Sequence, residues 1–79
     1  MMYLHAGRDT VIRIKNILAV FDLDYASQNT DTLEFLRRAE KEGRLVNVTE
    51  ELPKAFIVTD DNKVYLTQLS SQTLIGRIY

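Results

Sequence analysis

The chain carries one histidine, His5, and no cysteine. A metal site built on nitrogen or sulfur needs several such ligands close together, so His5 reads as a strand residue and no metal is expected. Asp60 and Asp61 are adjacent carboxylates ahead of Asn62 and Lys63. A calcium loop places its acidic groups at alternate positions and ends on a distal Glu, a pattern missing here, so the pair reads as turn chemistry. Ser70 and Ser71 offer hydroxyls at the start of an apolar segment. A nucleophilic serine needs a base within reach and, in a hydrolase elbow, flanking glycines; Ser70 reads instead as a helix cap. Gly7-Arg8-Asp9 lacks the second glycine and the lysine of a phosphate loop and reads as a turn. The sequence therefore leads us to expect no catalytic residue, no cofactor and no small-molecule substrate. An enzyme is the reading it favours least.

Phosphate contact is the chemistry that remains. Arg8, Arg13, Lys15, Arg37, Arg38, Arg44 and Lys54 are the material for a basic patch. Arg13 and Lys15, two residues apart on an extended segment, share a face. Ten basic and eleven acidic residues nearly cancel. The whole-molecule positive field common to nucleic-acid binders is absent, and any basic surface must be local. A solvated charged face is the plainer alternative. Tyr3, Tyr25, Tyr65 and Tyr79 are not interleaved with the basic residues, which argues against base stacking on a single strand.

These residues must be positioned by short elements. Tyr3 to Ala6 and Thr10 to Ile14 read as two strands of an opening hairpin. Ile17 to Phe21 is apolar at every position, as in a strand covered on both faces, and is expected to be central in the sheet. After a polar connection from Asp22 to Asn29, a helix is expected near 32–42. Asp31 and Glu34 have capping-box spacing, and Gly43 suits the left-handed residue that ends a helix. Leu33, Phe35, Leu36 and Ala39 fall within about 160° of arc on its wheel. Glu34 with Arg38, and Arg38 with Glu42, are spaced for ion pairs. Leu45 to Thr49 reads as a short strand, followed by the loop Glu50-Glu51-Leu52-Pro53. Ala55 to Thr59 and Val64 to Thr67 flank a turn in which Asn62 is best suited to positive φ. A short helix near 71–78 is capped by Ser70, with Leu69 and Leu74 at the hydrophobic-staple positions. The fold class is α+β, a small mostly antiparallel sheet with one main helix and a short C-terminal helix.

At 79 residues the chain is one domain, 1–79, with no staple for its small core. Oligomerisation is the remaining common way to bury more surface, and a homo-oligomer is expected. No charged segment followed by a long apolar run opens the chain, and no run is long enough to cross a bilayer. A cytoplasmic location is expected, with no membrane partner.

Several segments, in this order, resemble a known family. They are Tyr3-Leu4-His5 with Gly7, the run Ile17 to Asp22, Glu34-Phe35-Leu36, and Pro53-Lys54-Ala55-Phe56-Ile57-Val58-Thr59. Val64-Tyr65, Leu69-Ser70-Ser71, Thr73-Leu74 and Arg77 complete the set. Together they resemble the RemA/RemB family of extracellular-matrix regulators. The resemblance implies a small α+β protein acting in control of biofilm-matrix gene expression. In the RemA branch it implies DNA binding by large rings with an arginine-rich surface. A RemA-like arginine before the central apolar strand falls near Asn16, beside Lys15. A RemA-like arginine pair falls at about Glu51 and Leu52, which exchanges two positive charges for one negative and one apolar group. A loop carrying Glu50 and Glu51 repels phosphate, while Lys54 keeps a positive charge nearby. Arg13, Lys15 and Lys54, with Arg8 as a fourth, are the candidate contacts to duplex DNA. The rival expectation is a protein–protein interaction module of the same fold that binds no nucleic acid.

Overall fold

The computed structural model describes residues 2–7, 10–23 and 29–78. In chain order its elements are β1 (Tyr3–Gly7), β2 (Thr10–Arg13), a 3-10 turn (Ile14–Asn16), β3 (Ile17–Asp22), α1 (Thr30–Lys41), β4 (Leu45–Asn47), β5 (Ala55–Thr59), β6 (Val64–Thr67) and α2 (Ser71–Ile78). β1 and β2 pair antiparallel, with Tyr3 opposite Arg13 and His5 opposite Val11. The other strands form a four-stranded sheet in the order β3-β5-β6-β4. Only β4 lies parallel to its neighbour, so the α+β, mostly antiparallel expectation holds.

Alternation along β5 sends Ala55 and Ile57 to one face of this sheet and Phe56 and Val58 to the other. On the first face, Ala55 and Ile57 are buried with Leu4, Ala6 and Ile12 of the hairpin and Leu74 of α2. Thr67, fully buried, ties the layers together: its hydroxyl donates to the Ala6 carbonyl at 2.6 Å and accepts from the Leu69 N–H at 3.1 Å. On the second face, Phe56 and Val64 are buried against Ala39 of α1, with Leu36 and Leu45 packed beside them.

Local signals set the turns. Asn62 has φ 67°, the left-handed conformation expected of the β5–β6 turn. Gly43 has φ 74° and follows α1 as a Schellman motif: Arg44 N–H donates to Ala39 O and Gly43 N–H to Glu40 O. The Ser70 hydroxyl accepts from the Thr73 N–H at 3.1 Å, capping α2 as expected.

Other expectations are corrected. β3 is an edge strand, not a central one. Its uninterrupted apolar run arises because both of its faces pack. Ile17 and Val20 join the core under the hairpin, and the Phe21 ring stacks on Phe56 at 4.9 Å. Hydropathy reports covered faces and is silent about the hydrogen-bonding edge. Leu18, where the β3–β5 register shifts, is 67% exposed. Helix α1 begins earlier than expected, because Asn29 caps it by accepting from the Asp31 and Thr32 N–H groups. Neither expected i,i+4 ion pair closes among the described residues; Glu42 pairs instead with Arg44 at 2.9 Å. β2 ends at Arg13, where the 3-10 turn begins. β4 stops at Asn47, whose side chain accepts from the Thr49 N–H and turns the chain away. The expected turn at Arg8 and Asp9, and most of the connection before Asn29, lie outside the described residues.

Candidate nucleic-acid interface

Arg13 closes β2, and Lys15 sits in the 3-10 turn that follows; both are exposed. Their shared position does not come from strand alternation, since the strand ends between them. It comes from the turn, which the Met2 carbonyl holds by accepting the Ile14 N–H at 3.0 Å. Arg13 and Lys15 thereby line one surface cavity of about 410 Å³ with Met2, Tyr3 and Ile14. The walls are apolar and the charged members are both positive. The backbone carbonyl of Asn16, next in the turn, accepts the Asp60 N–H at 2.8 Å.

Lys54 lies at the opposite end of the four-stranded sheet. Its N–H donates to Thr67 O, and its carbonyl accepts from the Leu23 N–H. Those partners sit where β6 and β3 finish. The Arg13–Lys15 turn sits where β3 begins, beside the Asp60 turn. The structure therefore joins Arg13 with Lys15 and separates both from Lys54. Arg8 lies outside the described residues.

The loop before Lys54 is pinned from within. The Glu51 N–H donates to Thr49 Oγ1 at 3.0 Å, and that hydroxyl donates to Gln68 Oε1 at 2.8 Å. Leu52 stands clear of the surface at 87% exposed.

The other basic residues divide by use. Arg44 is structural: its Nε donates to Glu42 at 2.9 Å, its Nη1 donates to the Asn62 carbonyl at 2.9 Å, and its guanidinium lies 6.0 Å from the Phe35 ring centre. Arg77 Nη1 donates to the His5 carbonyl at 3.1 Å, tying α2 to the hairpin. Arg37, Arg38 and Lys41 share the outer face of α1 with Glu34 and Glu42, which makes that face mixed in sign.

The acidic and hydroxyl residues serve the fold. Asp61 Oδ1 accepts from the Thr59 hydroxyl and, more weakly, from the Lys63 N–H. The Thr59 bond is the main reason its carboxyl is held below the ordinary carboxylate value. The Ser71 hydroxyl donates to Asp22 Oδ2 at 3.1 Å. Among the described residues, no group of three or more His, Cys, Asp or Glu side chains could hold a metal. No helix there is long and apolar enough to cross a membrane.

Sequence reasoning misses an apolar groove of about 350 Å³ between β3 and α1, lined by Ala19, Phe21, Phe35, Phe56 and Val58 with Asp31 and Thr32. Phe21 and Phe35 are 44% and 36% exposed there. The helical wheel marks Leu33 and Phe35 as core positions, and the groove exists because α1 covers only part of the sheet.

The chain is 34% identical to extracellular matrix regulatory protein B of Bacillus subtilis (strain 168) over 76 residues, which is 96% of this chain and 89% of that protein. Residues 3–78 match the RemA-like family, described as extracellular matrix regulatory protein A-like. With nearly its whole length aligned, the chain belongs to the RemA-like family of extracellular matrix regulatory proteins.

Proposed function

We propose that this protein is a non-enzymatic bacterial regulator of extracellular-matrix, or biofilm, gene expression. It acts in the cytoplasm as an oligomer and contacts duplex DNA through local basic groups. The observation that carries the DNA contact is the pairing of Arg13 and Lys15 on one cavity. Neither takes an ion pair among the described residues, so both charges are available to phosphate. Family membership supplies the matrix-regulatory role.

A second reading has its own observation. Glu51 and exposed Leu52 occupy the loop beside Lys54, and an acidic, apolar loop suits a protein partner better than a phosphate. On that reading the protein is an interaction module that touches no nucleic acid.

A mobility-shift assay on long duplex matrix-promoter DNA separates the two. Wild type is expected to shift the DNA at low salt, and the Arg13→Ala/Lys15→Ala double variant to lose most of the shift. Absence of any shift by wild type transfers the function to the protein-partner reading.

A further inference from the structure

We propose that Tyr3, with Met2 and Ile14 beside it, packs on a deoxyribose of the DNA strand whose flanking phosphates are held by Arg13 and Lys15. The proposal deepens the DNA contact proposed above and rests on it.

The hairpin assembles this surface. Leu4 and Ala6 of β1 and Ile12 of β2 are buried, so alternation sends Tyr3, His5, Val11 and Arg13 outward. The register sets Tyr3 directly opposite Arg13, although the two are far apart in sequence. Cross-strand neighbours on one face lie within side-chain reach of each other. The 3-10 turn then adds Lys15, and the Met2 carbonyl fixes that turn by accepting the Ile14 N–H. Tyr3 is 48% exposed and Met2 77%. An aromatic ring and a thioether chain stand in water beside two cations.

That combination selects the ligand. Free phosphate would match the cations and leave the apolar walls of Met2, Tyr3 and Ile14 uncovered. A DNA strand alternates an anionic phosphate with a sugar whose C–H face is apolar. One sugar between two phosphates presents the same mixture of groups as the cavity. The other surface cavities are less well matched. The groove between β3 and α1 carries Asp31, and the hollow on the outer face of α1 sets Glu34 and Glu42 among its cations. The groove between β3 and α2 is lined by apolar side chains alone. Contacts to phosphate and sugar read no base, so Tyr3 adds affinity without sequence preference.

Salt separates the two contributions. Arg13 and Lys15 act by releasing counterions from the DNA, which added salt opposes. Tyr3 and Met2 act by removing apolar surface from water, which carries no charge for salt to screen.

The test is a titration of long duplex DNA, and separately of inorganic polyphosphate, with wild type, Tyr3→Ala, Tyr3→Phe and Met2→Ser across a series of salt concentrations. Polyphosphate has the charge and lacks the sugar. Tyr3→Ala is expected to weaken DNA binding about five- to tenfold at every salt concentration, the effect of uncovering one half-exposed ring. The slope of log K against log salt is expected to stay as in wild type, because no phosphate contact is lost. On polyphosphate, Tyr3→Ala is expected to match wild type. Tyr3→Phe keeps the ring and is expected to bind DNA as wild type does. Met2→Ser, at a side chain too exposed to carry the fold, is expected to repeat the Tyr3→Ala pattern at smaller size. Tyr3→Ala that binds DNA like wild type, lowers the slope, or weakens on polyphosphate as much as on DNA overturns the sugar contact and leaves the phosphate contacts standing. Tyr3→Phe as weak as Tyr3→Ala does the same. A wild type with no affinity for DNA overturns the sugar contact and the DNA reading together.

Discussion

The two faces of the four-stranded sheet are covered to different degrees. Under the hairpin and α2, Leu4, Ala6, Ile57 and Leu74 are fully buried, and Thr67 bridges the layers with both bonds of its hydroxyl. Under α1, Ala39, Phe56 and Val64 are buried, while Leu33, Phe35 and Phe21 keep more than a third of their surface in water. The closed face takes two elements from the chain ends and joins residues far apart in sequence. The open face receives one helix that reaches only part of the sheet. Stability should therefore be concentrated on the closed face, and substitutions on the two faces should not cost the same.

The largest expected effect is Leu74→Ala. Its side chain is fully buried in the closed core, and the change should cost about 2–5 kcal/mol in a urea melt. Leu36→Ala is the matched substitution on the open face. Leu36 is only half-buried, so it should cost less, about 1–2 kcal/mol. Equal destabilisation at the two positions would erase the contrast between the faces.

Thr67→Val keeps the shape of the side chain and removes both hydrogen bonds. The Ala6 carbonyl and the Leu69 N–H are left without that buried partner, which should cost about 1–3 kcal/mol by thermal melt. A neutral result would show that packing alone holds the hairpin to the sheet.

Gly7→Ala probes the same seam from the backbone. Gly7 has φ 149°, and an added Cβ would lie 3.2 Å from the Val48 carbonyl oxygen. The cost should exceed about 1 kcal/mol, read as a lower urea midpoint.

The smallest expected effect is electrostatic and lies outside both cores. Asp61 is held below the ordinary carboxylate value, chiefly by the Thr59 hydroxyl. A carboxyl whose value is lowered on folding stabilises the fold above its unfolded-state value. That contribution disappears as pH falls through the folded-state value. Asp61→Asn should therefore lower stability slightly at neutral pH and converge with wild type in acid, which flattens the acid limb of the stability curve. An acid limb of unchanged steepness in the variant would remove Asp61 from the account.

The parts of this fold legible in the sequence are those set by neighbouring residues. β5, β6, the positive φ at Asn62 and the Ser70 cap follow from alternation, turn chemistry and a hydroxyl three residues before an N–H. The start of α1 is harder to read because Asp31 and Asn29 are both good caps. The choice of Asn29 depends on how the chain enters the helix. The edge position of β3 is not legible, since strand order depends on which distant segments pair. The site divides the same way. Arg13 and Lys15 are close in sequence and meet at one cavity, whereas the distance to Lys54 is set by the run of the whole sheet.

The central claim, that an oligomer of this regulator holds DNA through local basic groups, is tested most directly by the salt dependence of binding. Long duplex DNA is titrated with wild type and Lys54→Ala across a series of salt concentrations. For wild type, log K should fall linearly with log salt. Lys54→Ala should weaken binding to all sequences about equally and lower the slope by about one for each phosphate that Lys54 neutralises. Binding that is absent in wild type, or that does not respond to salt, would contradict the claim and leave a protein-partner module in its place.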